Sequence, residues 1–251
     1  MKAIILCAGY GTRLGSLTKE VPKPMLIING KPLLEYTVRY LVKNGFTDIG
    51  INLHFKPESI KEYFKDGNSY GASITYTYEE SLLGTAGAVV QFEDWIGQDN
   101  FLVIYGDLLI DQDLSILVNR HKNKDAFATL LLHERKESNS IVALGKNNRI
   151  EAFLERPSDE ERKKYFSNIY NANSLVNSGV QFLSNDALHY IKENNCFDLP
   201  KDVYVKTFRS KNLYGEILSG LRVAIDSIDR YHLANTAVKG YEYNIENIRY
   251  E

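Results

Sequence analysis

The junction between the first apolar segment and the loop after it constrains this chain most. Residues 2–8 form an apolar run that passes directly into a loop with Gly9 and Gly11, and the cations Arg13 and Lys23 follow. Two glycines flanking one residue let backbone amides approach an anion with no Cβ in the way, and the cations add fixed positive charge. The pattern predicts a strand followed by a phosphate-binding loop, for which a nucleoside triphosphate is the natural ligand.

Spacing separates this loop from two other glycine-rich phosphate loops. A dinucleotide fingerprint needs a third glycine at position 14, where the chain has Leu14. A Walker A loop needs Gly-Lys-Ser/Thr at positions 14 to 16, where the chain reads Leu-Gly-Ser. Pro22 and Pro24 prevent a long helix directly after the turn. The sequence therefore argues against both classes.

Composition narrows the class of protein further. The chain has 251 residues, of which 44% are hydrophobic and 25% charged, as in an ordinary globular domain. It contains neither an apolar segment of about 18 residues nor a signal-peptide pattern, so we predict a cytoplasmic protein. The net charge of -2 argues against nucleic acid and membrane partners. Cys7 and Cys196 cannot form a disulfide framework, and no His/Cys spacing fits zinc.

Alternating apolar patterns predict the fold class. Predicted strands alternate with predicted helices in the first half, the strands over 2–8, 48–53, 73–78 and 101–105 and the helices over 32–44, 57–66 and 84–95. This repeated βα unit predicts a single-domain α/β protein with a Rossmann-like, mostly parallel sheet flanked by helices. The second half is richer in strands, predicted over 126–133, 141–144, 149–154, 176–183 and 221–225, before a last helix over 230–239. The polar stretch 158–173 has no strand pattern.

Two carboxylates fall where predicted strands end. Asp107 follows the run Phe-Leu-Val-Ile-Tyr-Gly, and Asp226 ends the strand predicted over 221–225. Ligands of open α/β sheets lie beyond the carboxyl ends of the strands, so both should face the same crevice as the glycine loop. Mg²⁺ needs only one or two carboxylates, because it keeps waters and takes phosphate oxygens. We therefore predict a Mg²⁺ site at Asp107 and Asp226. Asp111 is a lesser candidate, and Asp113 is expected to cap the following helix.

Taken together, the motifs resemble those of the sugar-1-phosphate nucleotidylyltransferases, in the same order and over nearly the whole chain. The motifs are Gly9-x-Gly11-Thr12-Arg13, Pro22-Lys23-Pro24, Gly84-Thr85-Ala86-Gly87, Gly106-Asp107, Glu155-Arg156-Pro157, Asn177-Ser178-Gly179 and Ile225-Asp226. The resemblance implies the nucleotide-diphospho-sugar transferase fold. It also implies that an oxygen of a sugar 1-phosphate attacks the α-phosphorus of a nucleoside triphosphate, giving a nucleotide-sugar and pyrophosphate. Arg13, Lys23 and Asp107 would be the catalytic residues.

The resemblance implies a division of the chain into two halves. Residues 1–113 would bind the nucleotide, through Leu6, Ala8, Gly9, Gly11, Thr12, Arg13, Glu79, Glu80 and Gly84. Residues 114–251 would bind the sugar phosphate, through Glu155, Arg156, Asn177 and Gly179. Arg156 stands where the family usually has lysine; arginine keeps the charge but favours bidentate geometry.

The residues leave the nucleotide base open. A carboxylate at Glu79 or Glu80 can accept two hydrogen bonds from the N1–H and 2-amino edge of guanine, whereas uracil offers one N–H. This favours GTP, although both glutamates could instead be solvated at the end of an edge strand. The overall pattern looks most like the mannose- and heptose-1-phosphate guanylyltransferase branch.

The resulting prediction is an enzyme that activates a sugar for surface polysaccharide or glycoconjugate synthesis. The alternatives are a uridylyl- or cytidylyltransferase with the same mechanism, and a catalytically silent homologue that binds nucleotide-sugar and regulates a partner. Homo-oligomerisation stays open.

Overall fold

Thirteen strands and seven helices are present in the part of the chain that this computed structural model describes, residues 1–135, 138, 140–161 and 175–240. The strands are β1 (Lys2–Leu6), β2 (Ile27–Ile28), β3 (Lys31–Pro32), β4 (Asp48–Leu53), β5 (Ser73–Tyr78), β6 (Phe101–Tyr105), β7 (Leu108–Asp111), β8 (Ala128–Glu134), β9 (Ser140–Leu144), β10 (Ile150–Glu155), β11 (Leu175–Leu183), β12 (Leu213–Ile217) and β13 (Leu221–Ala224). The helices are α1 (Leu33–Lys43), α2 (Pro57–Phe64), α3 (Gly84–Val90), α4 (Glu93–Ile96), α5 (Ser115–Lys124), α6 (Asn185–Glu193) and α7 (Ile228–Gly240). Other helical turns lie at Thr12–Thr18, Lys23–Met25, Asn68–Tyr70, Lys146–Asn148, Leu199–Tyr204 and Val205–Thr207.

Four parallel strands from the first half form one side of a nine-stranded sheet. They lie in the order β6-β1-β4-β5, and the register pairs Leu6 with both Tyr105 and Asn52. The second half extends this sheet with antiparallel strands, because β11 runs antiparallel to β6, β8 and β9. The predicted α/β fold with a mostly parallel central sheet is confirmed.

Helices cover both faces of the sheet. Neighbouring residues of β1 point to opposite faces, so Ile5 packs with Leu34 and Val38 of α1, whereas Ile4 packs with Val89 of α3. Each of these five side chains is fully buried. Burial on both faces explains why the parallel strands read as continuous apolar runs.

The structure corrects the predicted helix over 84–95, which breaks between α3 and α4. Phe92 leaves helical geometry, and its ring packs against Gly50 of β4. Helix α6 and strand β12 are additional elements that the sequence patterns did not predict. The polar stretch 158–173 lies outside the described residues from 162 onward. None of the described helices is long and apolar enough to span a bilayer.

A small second sheet places Asp226 beside the main sheet. Strand β13 pairs antiparallel with β7, with Ala224 opposite Leu108. Beyond this pair, the Ile225 backbone N–H donates to the carbonyl of Asp107 at 2.9 Å. Two chain segments more than a hundred residues apart thus bring both strand-end carboxylates to one place.

Candidate active site

The carboxyl ends of the parallel strands open onto one cleft of about 460 Å³. Its lining combines the loop after β1, the ends of β4 and β6, the residue after β5 and the start of α3. Every predicted nucleotide-binding residue lines this cleft except Glu80. Lys23, Asp107 and Asp226 line it as well. The sheet topology therefore brings together the phosphate loop and the predicted metal carboxylates.

The glycine loop is held tightly against the segment that carries Lys23. Gly11 has a φ of +66°, and a Cβ there would lie 3.0 Å from the Cβ of Lys23. The Thr18 hydroxyl donates to the carbonyl of Gly11 at 2.9 Å, and Leu14 is buried beneath the loop. Glycine is required at position 11 because both the backbone conformation and the close approach exclude a side chain. Arg13 stays exposed at the rim of the cleft.

Lys23 and Asp107 form the central ion pair of the cleft. The Lys23 Nζ lies 2.5 Å from Asp107 Oδ2, with 14% of the lysine side chain and 29% of the aspartate side chain exposed. Asp226 pairs with Arg230 of α7 at 3.4 Å. Cations thus already lie against both predicted metal carboxylates.

A buried polar network fixes the strand ends around the cleft. Asn52 accepts from the backbone N–H of Cys7 at 2.7 Å and donates to Glu79 Oε1 at 2.6 Å. Glu79 Oε2 accepts from the backbone N–H of Leu83 at 2.9 Å. Cys7 packs in the core as a small apolar side chain, and burial raises the pKa of its thiol. The network ties the ends of β1, β4 and β5 to the start of α3.

This network bears on the expectation that Glu79 or Glu80 reads the base. Glu79 is only 1% exposed, and both of its carboxylate oxygens already accept hydrogen bonds from the protein. Glu80 is exposed and does not line the cleft. Glu79 is therefore neither free to bind the base nor solvated at the end of an edge strand. It is buried and positions the cleft wall.

We expect Glu79→Gln to destabilise the protein by about 2 kcal/mol, because the amide NH₂ would face one of the two donors and leave it unsatisfied. Urea denaturation of the variant beside Glu80→Gln measures this, and the exposed Glu80 should tolerate its substitution. A Glu79→Gln variant of unchanged stability but altered base preference would contradict the positioning role.

Phe197 closes the cleft opposite the glycine loop. Phe197 lies in the turn that follows α6, and its carbonyl accepts from the Ala86 N–H at 3.0 Å. Gly84 has a φ of +73°, and a Cβ there would lie 2.2 Å from that carbonyl oxygen. Phe197 and Leu82 are exposed apolar side chains on this wall, 57% and 38% respectively.

Two glycines of the cleft should respond to alanine in opposite ways. Gly84→Ala should cost about 3 kcal/mol of folding free energy, because the new Cβ would overlap a backbone carbonyl at positive φ. A Cβ on Gly9 would have no heavy atom within 4 Å, so Gly9→Ala should fold normally and lose nucleotide affinity by filling the cradle. Thermal unfolding and nucleotide titration of both variants check this. A destabilised Gly9→Ala protein would contradict the assignment.

The predicted sugar-phosphate residues lie beyond the cleft wall rather than in it. Glu155 ends β10 and accepts from the Ser140 hydroxyl, while the next residue, Arg156, is 80% exposed. In β11, the Gly179 N–H donates to Asn177 Oδ1 at 3.0 Å. None of these four residues lines the cleft.

Tyr105 lies between the two groups of predicted residues. A Cβ on Gly179 would lie 3.0 Å from its ring, and its hydroxyl hydrogen-bonds Thr85 of α3. Burial first, and then the nearby carboxylates of Asp198, Asp107 and Glu155, raise the pKa of Tyr105. Tyr105 therefore separates the nucleotide cleft from the predicted sugar side.

Several cleft residues were not predicted from the sequence, namely Asn52, Leu82, Thr85, Tyr105 and Phe197. Asn52 and Tyr105 lie near the carboxyl ends of predicted strands, and that position was the available signal. Phe197 had no such signal, because it reaches the cleft from a turn after the unpredicted α6.

The glycine loop, Lys23, Asp107 and Asp226 thus line one cleft at the carboxyl ends of the parallel strands of an α/β sheet. The chain belongs to the Nucleotidyl transferase family, whose model matches residues 2–219. The resemblance seen in the motifs is thereby confirmed.

The match with this chain covers a different fraction of each relative's length. A D-glycero-alpha-D-manno-heptose 1-phosphate guanylyltransferase of Aneurinibacillus thermoaerophilus is 33% identical over 96% of this chain and 100% of its own. A UTP--glucose-1-phosphate uridylyltransferase of Synechocystis sp. is 33% identical over 82% of this chain, which spans 55% of that protein. The structure of a UDP-glucose pyrophosphorylase complexed with UDP-glucose has the same fold, with a TM-score of 0.77 at 20% identity over 95% of this chain and 98% of its own.

Proposed function

We propose that the protein transfers a nucleotidyl group from a nucleoside triphosphate to a sugar 1-phosphate, with release of pyrophosphate. The observation that carries this proposal is the single cleft in which the glycine loop, Lys23 and the carboxylates of Asp107 and Asp226 meet. Membership of the nucleotidyl transferase family supports the reaction class.

The chemistry requires no general base. The attacking oxygen belongs to a phosphate that is already an anion, so catalysis consists of aligning two anions and suppressing their repulsion. Arg13 at the cleft rim would bind the departing phosphates. Lys23, held against Asp107 at 2.5 Å, would neutralise charge between the attacking phosphate and the α-phosphate. Buried His121 and half-buried His133 are weak bases, since burial lowers the pKa of each to about 4.

Asp107 and Asp226 fit the Mg²⁺ that this chemistry uses. Both carboxylates face one cleft, and the ammonium of Lys23 already lies against Asp107, which supports the binding of a cation there. The described residues contain no cluster of three or more metal-ligating side chains, but Mg²⁺ needs only one or two carboxylates beside phosphate oxygens and waters. Bound Mg²⁺ would supply charge stabilisation at the phosphate oxygens.

We propose GTP as the donor nucleotide. The support is the guanylyltransferase relative, which matches this chain over its whole length. Because Glu79 is committed to Asn52 and Leu83, the base must be read by other groups of this wall. The sugar-side residues Glu155 and Asn177 would bind sugar hydroxyls.

The test is pyrophosphate release with Mg²⁺ across GTP, UTP, CTP, ATP and dTTP, each against mannose, glucose, galactose and heptose 1-phosphates. We expect release with GTP and one of these sugars. Release with UTP or CTP alone would overturn the guanylyl proposal while retaining the transferase. No release in any pair, together with nucleotide-sugar binding by calorimetry, would favour a silent binding protein.

A further inference from the structure

A group of three arginines and one histidine that the sequence patterns did not single out lies near the two carboxylates. Arg222 is on β13, Arg230 is on α7, and Arg135 and His133 are at the end of β8. Arg222 Nε donates to the carbonyl of Ser178 at 2.8 Å, and a ring nitrogen of His133 lies 3.1 Å from the Ser178 hydroxyl. Ser178 is fully buried, so it anchors the group.

The alternation of β13 turns Arg222 away from the core beneath this strand. Val223 and Ile225 are buried in the core with Leu14 and Leu109. Residues that alternate with them therefore face away from that core. Arg222 lies close enough to Asp107 and Asp226 for both carboxylates to act on its pKa.

The charges of the group act on one another and on the carboxylates. Burial, followed by Arg222, Arg135 and Arg230, lowers the pKa of His133 to about 4, so the imidazole is neutral at pH 7. Burial lowers the pKa of Arg222 to about 10, and the nearby charges of Asp107 and Asp226 oppose that shift. Arg230 therefore contacts the Asp226 carboxylate, Arg222 lies near both carboxylates, and Arg135 lies near enough to lower the pKa of both His133 and Arg222.

The group also adjoins the predicted sugar side. Ser178, to which Arg222 and His133 are attached, lies between Asn177 and Gly179 in the irregular part of β11. An anion held there would sit with the sugar-side strand on one flank and Asp226 on the other. Arg156, at the position where a cation was expected for this purpose, is 80% exposed and contacts Glu155 at 3.8 Å.

We propose that Arg222, Arg230 and Arg135 form the subsite for the phosphate of the sugar 1-phosphate, an assignment that rests on the proposed function. Guanidinium groups suit a phosphate because they donate paired N–H bonds in a fixed plane. The subsite holds the attacking anion beside Asp107 and Asp226 and on the sugar side of Tyr105. Arg13 and Lys23 serve the triphosphate from the glycine-loop side.

Arg230→Gln and Arg135→Gln test the subsite by steady-state kinetics, with the pair of substrates that gives release. We expect Arg230→Gln to raise the KM for the sugar 1-phosphate at least about tenfold and to leave the KM for the nucleotide within about twofold, as loss of one charge-assisted hydrogen bond predicts. Arg135→Gln should act in the same direction although it is not next to Asp226. Arg230→Lys should recover part of the loss, and the control Arg149→Gln, whose guanidinium bonds Asn212, should change neither KM.

A binding measurement separates this subsite from the proposed reaction. Inorganic phosphate is titrated by calorimetry into Arg13→Gln protein, which lacks the loop cation, and into the Arg13→Gln, Arg230→Gln double variant. We expect at least tenfold weaker binding to the double variant. Equal phosphate affinities, or a KM rise confined to the nucleotide, would overturn the subsite even in an active transferase. Weaker phosphate binding in a protein that releases no pyrophosphate would leave the subsite standing and reject the proposed function.

Discussion

Replacing Asp107 by asparagine is expected to lower kcat about a thousandfold. The amide keeps the size of the side chain but removes the negative charge that would hold Mg²⁺, and metal stabilisation of the transferring phosphate supplies several kcal/mol. Pyrophosphate release at saturating substrates measures the effect. The folded structure should survive, since the Asp107 carbonyl keeps its hydrogen bond from Ile225.

Asp111→Asn is the matched control for this substitution. Asp111 is exposed at the end of β7 and does not line the cleft, so the variant should keep wild-type turnover. The melting temperature of Asp107→Asn should stay within about 5 °C of wild type, because the broken pair with Lys23 is partly solvated. Wild-type turnover in Asp107→Asn, or a loss of turnover in both variants, would contradict the metal assignment.

Replacing Lys23 by alanine should lower kcat by about 10²–10³, the usual effect of removing one preorganised transition-state donor. The nucleotide KM should change by less than about threefold, because the interaction is made chiefly as the two anions approach each other. Single-turnover kinetics and nucleotide titration separate the two quantities.

Lys19→Ala is the control for Lys23, since Lys19 is an exposed cation on the same loop and does not line the cleft. It should leave both kcat and the nucleotide KM unchanged. A Lys23→Ala variant that loses only nucleotide affinity would instead place Lys23 on the ground-state triphosphate.

Local sequence patterns and long-range contacts determine different parts of this fold. The strand after Lys2, the glycine loop and the apolar run before Asp107 were predictable because buried parallel strands read as uninterrupted apolar segments. The N-cap of α5 is Leu114 rather than the predicted Asp113, which lies one residue earlier and whose Oδ1 accepts from the Ser115 N–H at 2.8 Å. Helix α6 and strand β12 were missed, although both pack into the core.

Strand β12 shows why local sequence patterns do not predict such elements. It is five residues long, carries Gly215 at its centre and pairs in parallel with β8. A Cβ on Gly215 would lie 2.5 Å from the side chain of Leu132, so the neighbouring strand leaves no room for a side chain at this position. Local propensity disfavours glycine in strands, and only the tertiary contact explains the presence of Gly215 in β12.

The sequence by itself determined the α/β class, the glycine loop and the two strand-end carboxylates, because a short contiguous stretch with its own periodicity or spacing encodes each of them. The tertiary structure alone decided that Glu79 is a buried partner of Asn52, and that Arg222 lies near the carboxylates of Asp107 and Asp226. The physical reason is that the sequence does not distinguish a solvated carboxylate or guanidinium from a buried one. Its partners, which come from distant strands, determine its role.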